Sequence, residues 1–198
     1  MTALPKTAEW ITSEEYLEGE RRSEIRHEYV EGHVYAMAGA SDDHNRITRN
    51  ILSFLHESLR EKQCEPFGTD MKVRIPPRFM DVFYYPDVLV ACDPSDAAKY
   101  FRERPTVIFE VISPETERTD RREKAIAYRQ IETVKVYALV EQDRLAITVL
   151  QQAEEGWDKE VVEGPNAMLK LPEIGVEIPL SRIYERTSAR TGVAERRA

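Results

Sequence analysis

Two carboxylates interrupt runs that are otherwise almost wholly apolar: Asp87 in YYPDVLVA and Glu110 in VIFEVIS. Burying an unpaired carboxylate is costly, so an acid in such a setting has either a partner or a task. If the two segments are neighbouring antiparallel strands, Asp87 near the start of one and Glu110 past the middle of the next stand at the same end of a sheet. A carboxylate pair so placed can hold Mg²⁺, which favours carboxylate oxygens and retains several waters. The third residue of interest is Lys124. With Asp120 and Tyr128 it is spaced i, i+4, i+8, on one face of a helix that follows the Glu110 segment after the polar loop Ser113–Thr119. A lysine over the carboxylate end of the sheet would stabilise charge developing on a phosphate, or orient an attacking water. The bland alternatives are a buried acid satisfied by a nearby arginine or backbone amide, and a lysine solvated beside Arg121 and Arg122.

The elements that must position these residues are legible in outline. Thr12 to Glu20 reads as an opening helix, with Thr12 and Glu15 spaced as a capping box. His27 to Ala38 reads as a hairpin turning at Glu31-Gly32. After a polar connection, Asp43 is placed to cap a long helix from His44 to about Lys62. Its apolar residues Ile47, Ile51, Leu52, Phe54, Leu55 and Leu59 form one stripe. Three strands are expected next, roughly Cys64 to Ile75, Tyr84 to Cys92 and Thr106 to Ile112, the last two apolar enough to be covered on both faces. A helix from Asp120 to Ile131 then permits a parallel crossover to a strand at Val134 to Val140. Arg144 to Leu150 and Trp157 to Val162 suggest a meander, and Leu180 to Arg186 a small closing helix. The expected fold is α/β (α+β): a mixed central sheet flanked by helices, with an N-terminal hairpin and a C-terminal β-meander. It would be one domain over residues 1–185, with 186–198 a frayed tail.

The chain has 198 residues and a formal net charge of −8, which counts against general adhesion to nucleic acid without excluding a local basic groove. Arg102 to Arg104 and Arg118 to Arg122 are the basic clusters nearest the acids; such clusters are usually solvated faces. No run approaches the roughly 18 apolar residues of a membrane span. The start of the chain lacks the pattern of a secretory signal. Cys64 and Cys92, far apart and outside any CxxC pair, read as two buried thiols in a reducing cytoplasm rather than a disulfide. No GxxxxGK[ST] loop, GxSxG elbow or HExxH pair occurs, so P-loop, α/β-hydrolase and zincin chemistries have no support.

Taken together, PDVLV, then PTVIFEVISPETERTD with Lys124 and Tyr128, then VYALV resembles the Uma-type restriction endonuclease family, of the PD-(D/E)XK nuclease superfamily. YVEGHVYAMAGAS followed by His44 and the long helix is similar too, so the resemblance spans about Trp10 to Leu180. It implies a restriction endonuclease-like fold. Asp87, with Pro86 before it, matches the aspartate of the PD motif, and Glu110 the second acid. These two would bind Mg²⁺ (or Mn²⁺) together with the main-chain carbonyl of Val111. The superfamily's usual lysine position is occupied by Ile112, and the resemblance implies that Lys124 supplies the lysine from the helix. Secondary candidates are Glu31 at the hairpin turn, His44 at the head of the long helix, and Asp70 on the first strand. For each of these a plain structural role is an open alternative.

The expected activity is that of a Mg-dependent endodeoxyribonuclease acting on double-stranded DNA, with a homodimer needed to cut both strands. Two other readings stand beside it: a non-catalytic binding or assembly module that keeps the nuclease fold, favoured by Ile112 and the acidic charge, and a metal-dependent phosphodiesterase acting on RNA or a small phosphoester.

Overall fold

A computed structural model of the chain describes residues 10–75, 81–113 and 116–189. The opening helix α1, Ser13–Glu20, has Thr12 as its N-cap, and the reciprocal bonds between Thr12 and Glu15 complete the capping box. Strands β1 (His27–Val30) and β2 (His33–Ala36) form the hairpin. Its two turn residues, Glu31 and Gly32, both have positive φ (47° and 90°), the geometry a two-residue turn needs to match strand twist.

Helix α2 is Asp42–Leu59, and its cap is Ser41, not Asp43. Ser41 is extended and its hydroxyl accepts from the His44 amide at 3.1 Å. Asp43 instead falls in the first turn, where it pairs with Arg46 and accepts from the amide and hydroxyl of Ser188. These last two bonds, with the Thr187 hydroxyl on the Tyr184 carbonyl, tie down residues 186–189; the remainder of the expected tail, 190–198, lies outside the described residues.

Two expected strands are each divided between two sheets. Cys64 to Ile75 becomes β3 (Glu65–Gly68) and β4 (Lys72–Ile75), and Tyr84 to Cys92 becomes β5 (Val82–Tyr84) and β6 (Val88–Ala91). The physical cause of the second break is in the sequence: Pro86 has no amide to give a ladder, so the chain leaves one sheet at Tyr84 and enters the other at Val88. With β7 (Phe101–Arg102), these pieces build a five-stranded sheet in the order β2-β1-β5-β4-β7.

The central sheet has six strands, β11-β10-β9-β8-β6-β3. Here β8 is Pro105–Ile112, β9 Val136–Glu141, β10 Ala146–Gln152 and β11 Trp157–Glu163. It is mixed as expected: β6 and β8 are antiparallel, β8 and β9 parallel. The meander does not stand apart; β10 and β11 extend this sheet. A small hairpin, β12 (Met168–Leu171) with β13 (Val176–Pro179), leads into α3 (Leu180–Ile183).

The crossover between β8 and β9 is a π-helical segment, Thr119–Lys124, running into one α-helical turn, Ala125–Tyr128. This is shorter and wider than the regular helix that spacing alone suggests, and π-helical segments occur preferentially at functional sites.

One face of the central sheet packs on α2: Ile47, Ile51, Leu55 and Leu59 meet Val88, Val107, Phe109 and Val111. The other face joins Leu89, Ile108, Ile112 and Tyr137 to Tyr128, Ile131 and the inner residues of the five-stranded sheet, Val73, Ile75, Val82 and Tyr84. The central sheet is thus buried on both sides, which explains its nearly continuous apolar strands.

The cysteines depart from expectation. Cys64 and Cys92, one residue outside the Glu65–Ala91 pair of β3 and β6, form a disulfide. They are half-buried rather than core residues, and the premise of two free thiols that pointed to a reducing compartment falls with them. Among the described residues no helix is long and apolar enough to cross a membrane.

Candidate active site

The antiparallel register pairs Val88 with Phe109, so one step further Asp87 stands level with Glu110. The Val111 amide donates to Asp87 Oδ2 at 2.7 Å, and His44 Nε2 lies 3.2 Å from the same oxygen. His44 comes from the first turn of α2, and that turn is anchored to the sheet. The Ser41 hydroxyl donates to Gln142 Oε1 (2.6 Å), while Gln142 Nε2 donates to the Ile112 carbonyl (2.7 Å) at the end of β8.

Glu110 points to the opposite side from Phe109 and Val111, into the layer beneath the π-helical segment. Lys124 Nζ and the Tyr128 hydroxyl each donate to Glu110 Oε1 at 3.1 Å. Lys124 also lies 2.9 Å from Glu28 Oε1 and 3.4 Å from Asp120 Oδ1, and its ammonium sits 5.4 Å from the centre of the Tyr84 ring. The cluster is closed to solvent: Asp87 is 9% exposed, Glu110 3%, Asp120 2% and Lys124 6%.

The electrostatics follow from burial and from the excess of acids. Burial pushes the Glu110 carboxyl well above the usual carboxylate range; Lys124 opposes this, while Asp120, Asp87 and Glu28 add to it. Asp120 is likewise raised, by burial first, against the pull of Lys124 and a bond from Thr116. Burial works against the charge on Lys124, but Glu110, Glu28 and Asp120 outweigh it and hold the ammonium protonated. Tyr84 is pushed up to about 12, by burial and then by Glu28.

Of the residues singled out in the sequence, the structure brings together Asp87, Glu110, Val111, Lys124, Asp120, Tyr128 and His44. Two are elsewhere. Glu31 is an exposed turn residue whose amide donates to the Asp81 carbonyl. Asp70 is in the turn between β3 and β4, not on a strand, and is ion-paired with Arg26. The acid the sequence reading passed over is Glu28. Strand alternation carries the signal: Glu28 is two residues before Val30, which packs into the layer containing Tyr128 and Ile112.

Ile112 shares the Glu110 side of β8 and packs in that same layer, so the position two residues after the acid holds an apolar group. The cation beside Glu110 is Lys124. Among the described residues no three of His, Cys, Asp and Glu converge as a ready-made metal cage. What stands there is a carboxylate pair, with four carboxyls (Asp87, Glu110, Asp120, Glu28) around a single lysine and a histidine. Asp120 Oδ1 is buried, 3.4 Å from the Lys124 ammonium and without a closer hydrogen-bond partner. Such a set is short of positive charge, and its oxygen donors suit a hard divalent cation.

The fold is restriction endonuclease-like. A crystal structure described as a putative nuclease belonging to DUF820 from Anabaena variabilis superposes with a TM-score of 0.70 at 16% identity, covering 88% of this chain and 97% of that one. The family described as "Uma2: Putative restriction endonuclease" matches residues 13–181. This chain belongs to the Uma2 family. Two relatives from Synechocystis sp. are each 31% identical: the uncharacterized protein slr1290 over 88% of this chain and 91% of its own length, and the uncharacterized protein sll1609 over 69% and 77%.

Proposed function

We propose that this chain is a metal-dependent endonuclease that hydrolyses DNA phosphodiester bonds, with Asp87, Glu110 and Lys124 as its working residues. The observation that carries the reading is the meeting of the PD-type aspartate, the second acid and a buried lysine at one end of the central sheet. Family membership supports a nuclease as the general class. The Asp87 and Glu110 carboxylates, with the Val111 carbonyl, would hold Mg²⁺ or Mn²⁺. That ion supplies Lewis acidity for the phosphate and for the attacking water.

The other tasks fall to side chains. His44 and the Val111 amide hold one oxygen of Asp87, which fixes the carboxylate's orientation. Tyr128 and Lys124 do the same for Glu110. Lys124, kept protonated by three carboxyls, offers positive charge to the phosphate as negative charge builds on it. Arg118, just before the π-helical segment, and Arg122 within it are exposed and can meet flanking phosphates. Each chain carries one such cluster, so cutting both strands calls for a homodimer.

The test is plasmid nicking by purified protein in Mg²⁺ and in Mn²⁺, with Asp87→Ala and Lys124→Ala in parallel. Metal-dependent cutting lost in both variants supports the mechanism; cutting retained by Asp87→Ala sinks it. The second reading, a binding module without catalysis, is favoured by Ile112 and by the net charge of −8. It would be supported if the parent cuts no form of DNA in either metal.

A further inference from the structure

Strand β11 is a free edge of the central sheet. At seven residues it is the longest edge strand of the two large sheets. At the far end of the central sheet β3 has four residues, one of them Pro66, and the other sheet ends in β2, with four residues, and β7, with two. The even-numbered residues of β11 bond to β10: in the same register, the Gly164 amide donates to the Leu145 carbonyl at 2.9 Å. The N–H and C=O groups of Lys159, Val161 and Glu163 therefore point away from the sheet. A row of unpaired backbone groups of this length is a template for another strand.

The side chains say which strand. Val161 is an apolar residue left 48% exposed. Lys159 and Glu163, both exposed, stand two residues to either side of it on the same face. Neither has an ion-pair partner among the described residues. Two antiparallel copies of β11 related by a twofold axis through Val161 set Lys159 opposite the partner's Glu163, and Glu163 opposite the partner's Lys159. The two Val161 side chains meet at the axis. Centring the pair on Asp158, Lys159 or Glu160 instead sets like charges face to face, which is destabilising. Charges on an edge strand ordinarily keep other strands away; here their order makes the edge complementary to itself about Val161.

We propose that β11 is the interface through which this chain pairs with a second copy of itself, joining two central sheets into one continuous sheet about Val161. The outward N–H and C=O groups of Lys159, Val161 and Glu163 pair across the axis, and the two Lys159–Glu163 contacts fix the register. That register has a consequence for the acids. Val161 lies level with Thr148, Thr148 with Leu139, and Leu139 with Glu110, so the axis falls in the row of the sheet that carries the acid cluster. The two Glu110 residues stand about seven strand spacings, roughly 34 Å, apart along that row. Each cluster is complete within its own chain, so the interface stands independently of the nuclease reading.

The test is sedimentation velocity of the full chain, parent and variants. The parent should sediment as a dimer at about 100 μM, where a contact of micromolar dissociation constant is saturated. Val161→Pro should be monomeric and folded, because proline removes an outward donor and leaves the bonds to β10 intact. Lys159→Glu and Glu163→Lys should each weaken dimerisation by about tenfold or more. An equimolar mixture of those two variants should recover it, since each altered charge meets its complement in the other chain. A parent that is monomeric at that concentration overturns the inference, as does a dimer untouched by all three variants or a mixture that stays monomeric. Where Val161→Pro fails to fold, the charge variants and their mixture decide alone. Failure of the nuclease reading looks different: a dimer that responds to these variants as expected, yet cuts no DNA in any metal, keeps the interface and loses the activity.

Discussion

Lys124 Nζ and Glu110 Oε1 are 3.1 Å apart, both out of reach of solvent, and the lysine is shared with Glu28 and Asp120. One ammonium therefore serves three carboxyls. Its loss cannot be compensated by water, and several consequences can be measured.

Lys124→Met should destabilise the fold by about 3–5 kcal/mol near neutral pH, the usual cost of leaving buried charge without its partner. The pH dependence has a definite sign. Glu110 and Asp120 already have folded-state values above their ordinary 4.5 and 3.8, and losing the lysine raises them further. A raised carboxyl contributes stability that is complete below the unfolded value and is lost as pH rises through the folded one. The deficit of the variant should thus be small at about pH 4 and grow toward neutrality. Urea unfolding of parent and variant across that range checks this; a deficit independent of pH would mean that packing, not charge, is what Lys124 provides.

Metal affinity should climb with pH beyond the range in which ordinary carboxylates titrate. Burial holds the Glu110 proton, and an ion binding to this carboxylate must displace it. Calorimetric titration with Mn²⁺ in buffers of different ionisation enthalpy should show proton release below the plateau. Glu110→Gln should abolish both the release and the pH dependence.

His44→Ala should lower metal affinity or cleavage by about 10–100-fold, the range typical of residues that orient a ligand rather than serve as one. The histidine sits 3.2 Å from Asp87 Oδ2, and the Val111 amide still holds that oxygen. A loss as severe as that of Asp87→Ala would instead place His44 among the groups that touch the substrate.

Tyr128→Phe removes one of two hydrogen bonds to Glu110 Oε1 and leaves the Lys124 bond in place. A cost of about 1 kcal/mol is expected on unfolding. The pH at which metal binding reaches its plateau should move upward, because the hydroxyl donates to the ionised carboxylate. An unchanged plateau would show that the tyrosine serves packing alone.

Much of this arrangement was legible because it depends on short-range spacing. The Thr12–Glu15 cap, the Glu31-Gly32 turn, the α2 stripe and the Asp120–Lys124–Tyr128 face are each set by a few adjacent residues. What escaped depends on which distant segments meet. The turn at Pro86 reads as a strand with a proline near its start, yet it marks where the chain passes from one sheet to the other. Glu28 joins the cluster only because β1 pairs with β5 in the sheet that lies over the π-helical segment. Cys64 meets Cys92 only through the β3–β6 register, which the hydropathy pattern, apolar on both faces of β6 and nearly featureless in the four residues of β3, does not fix. Ser41 and Asp43 are both good caps, and the choice between them falls to the residue whose backbone is extended.

The Cys64–Cys92 bond closes a covalent ring of chain that leaves the central sheet at β3, runs through β4 and β5 of the other sheet, and returns at β6 carrying Asp87. A protease that cleaves one peptide bond within that ring would not separate the protein into two molecules. The nicked chain would migrate as one band without reductant and as two with it, and Asp87 would stay tethered to the strand on which it borders.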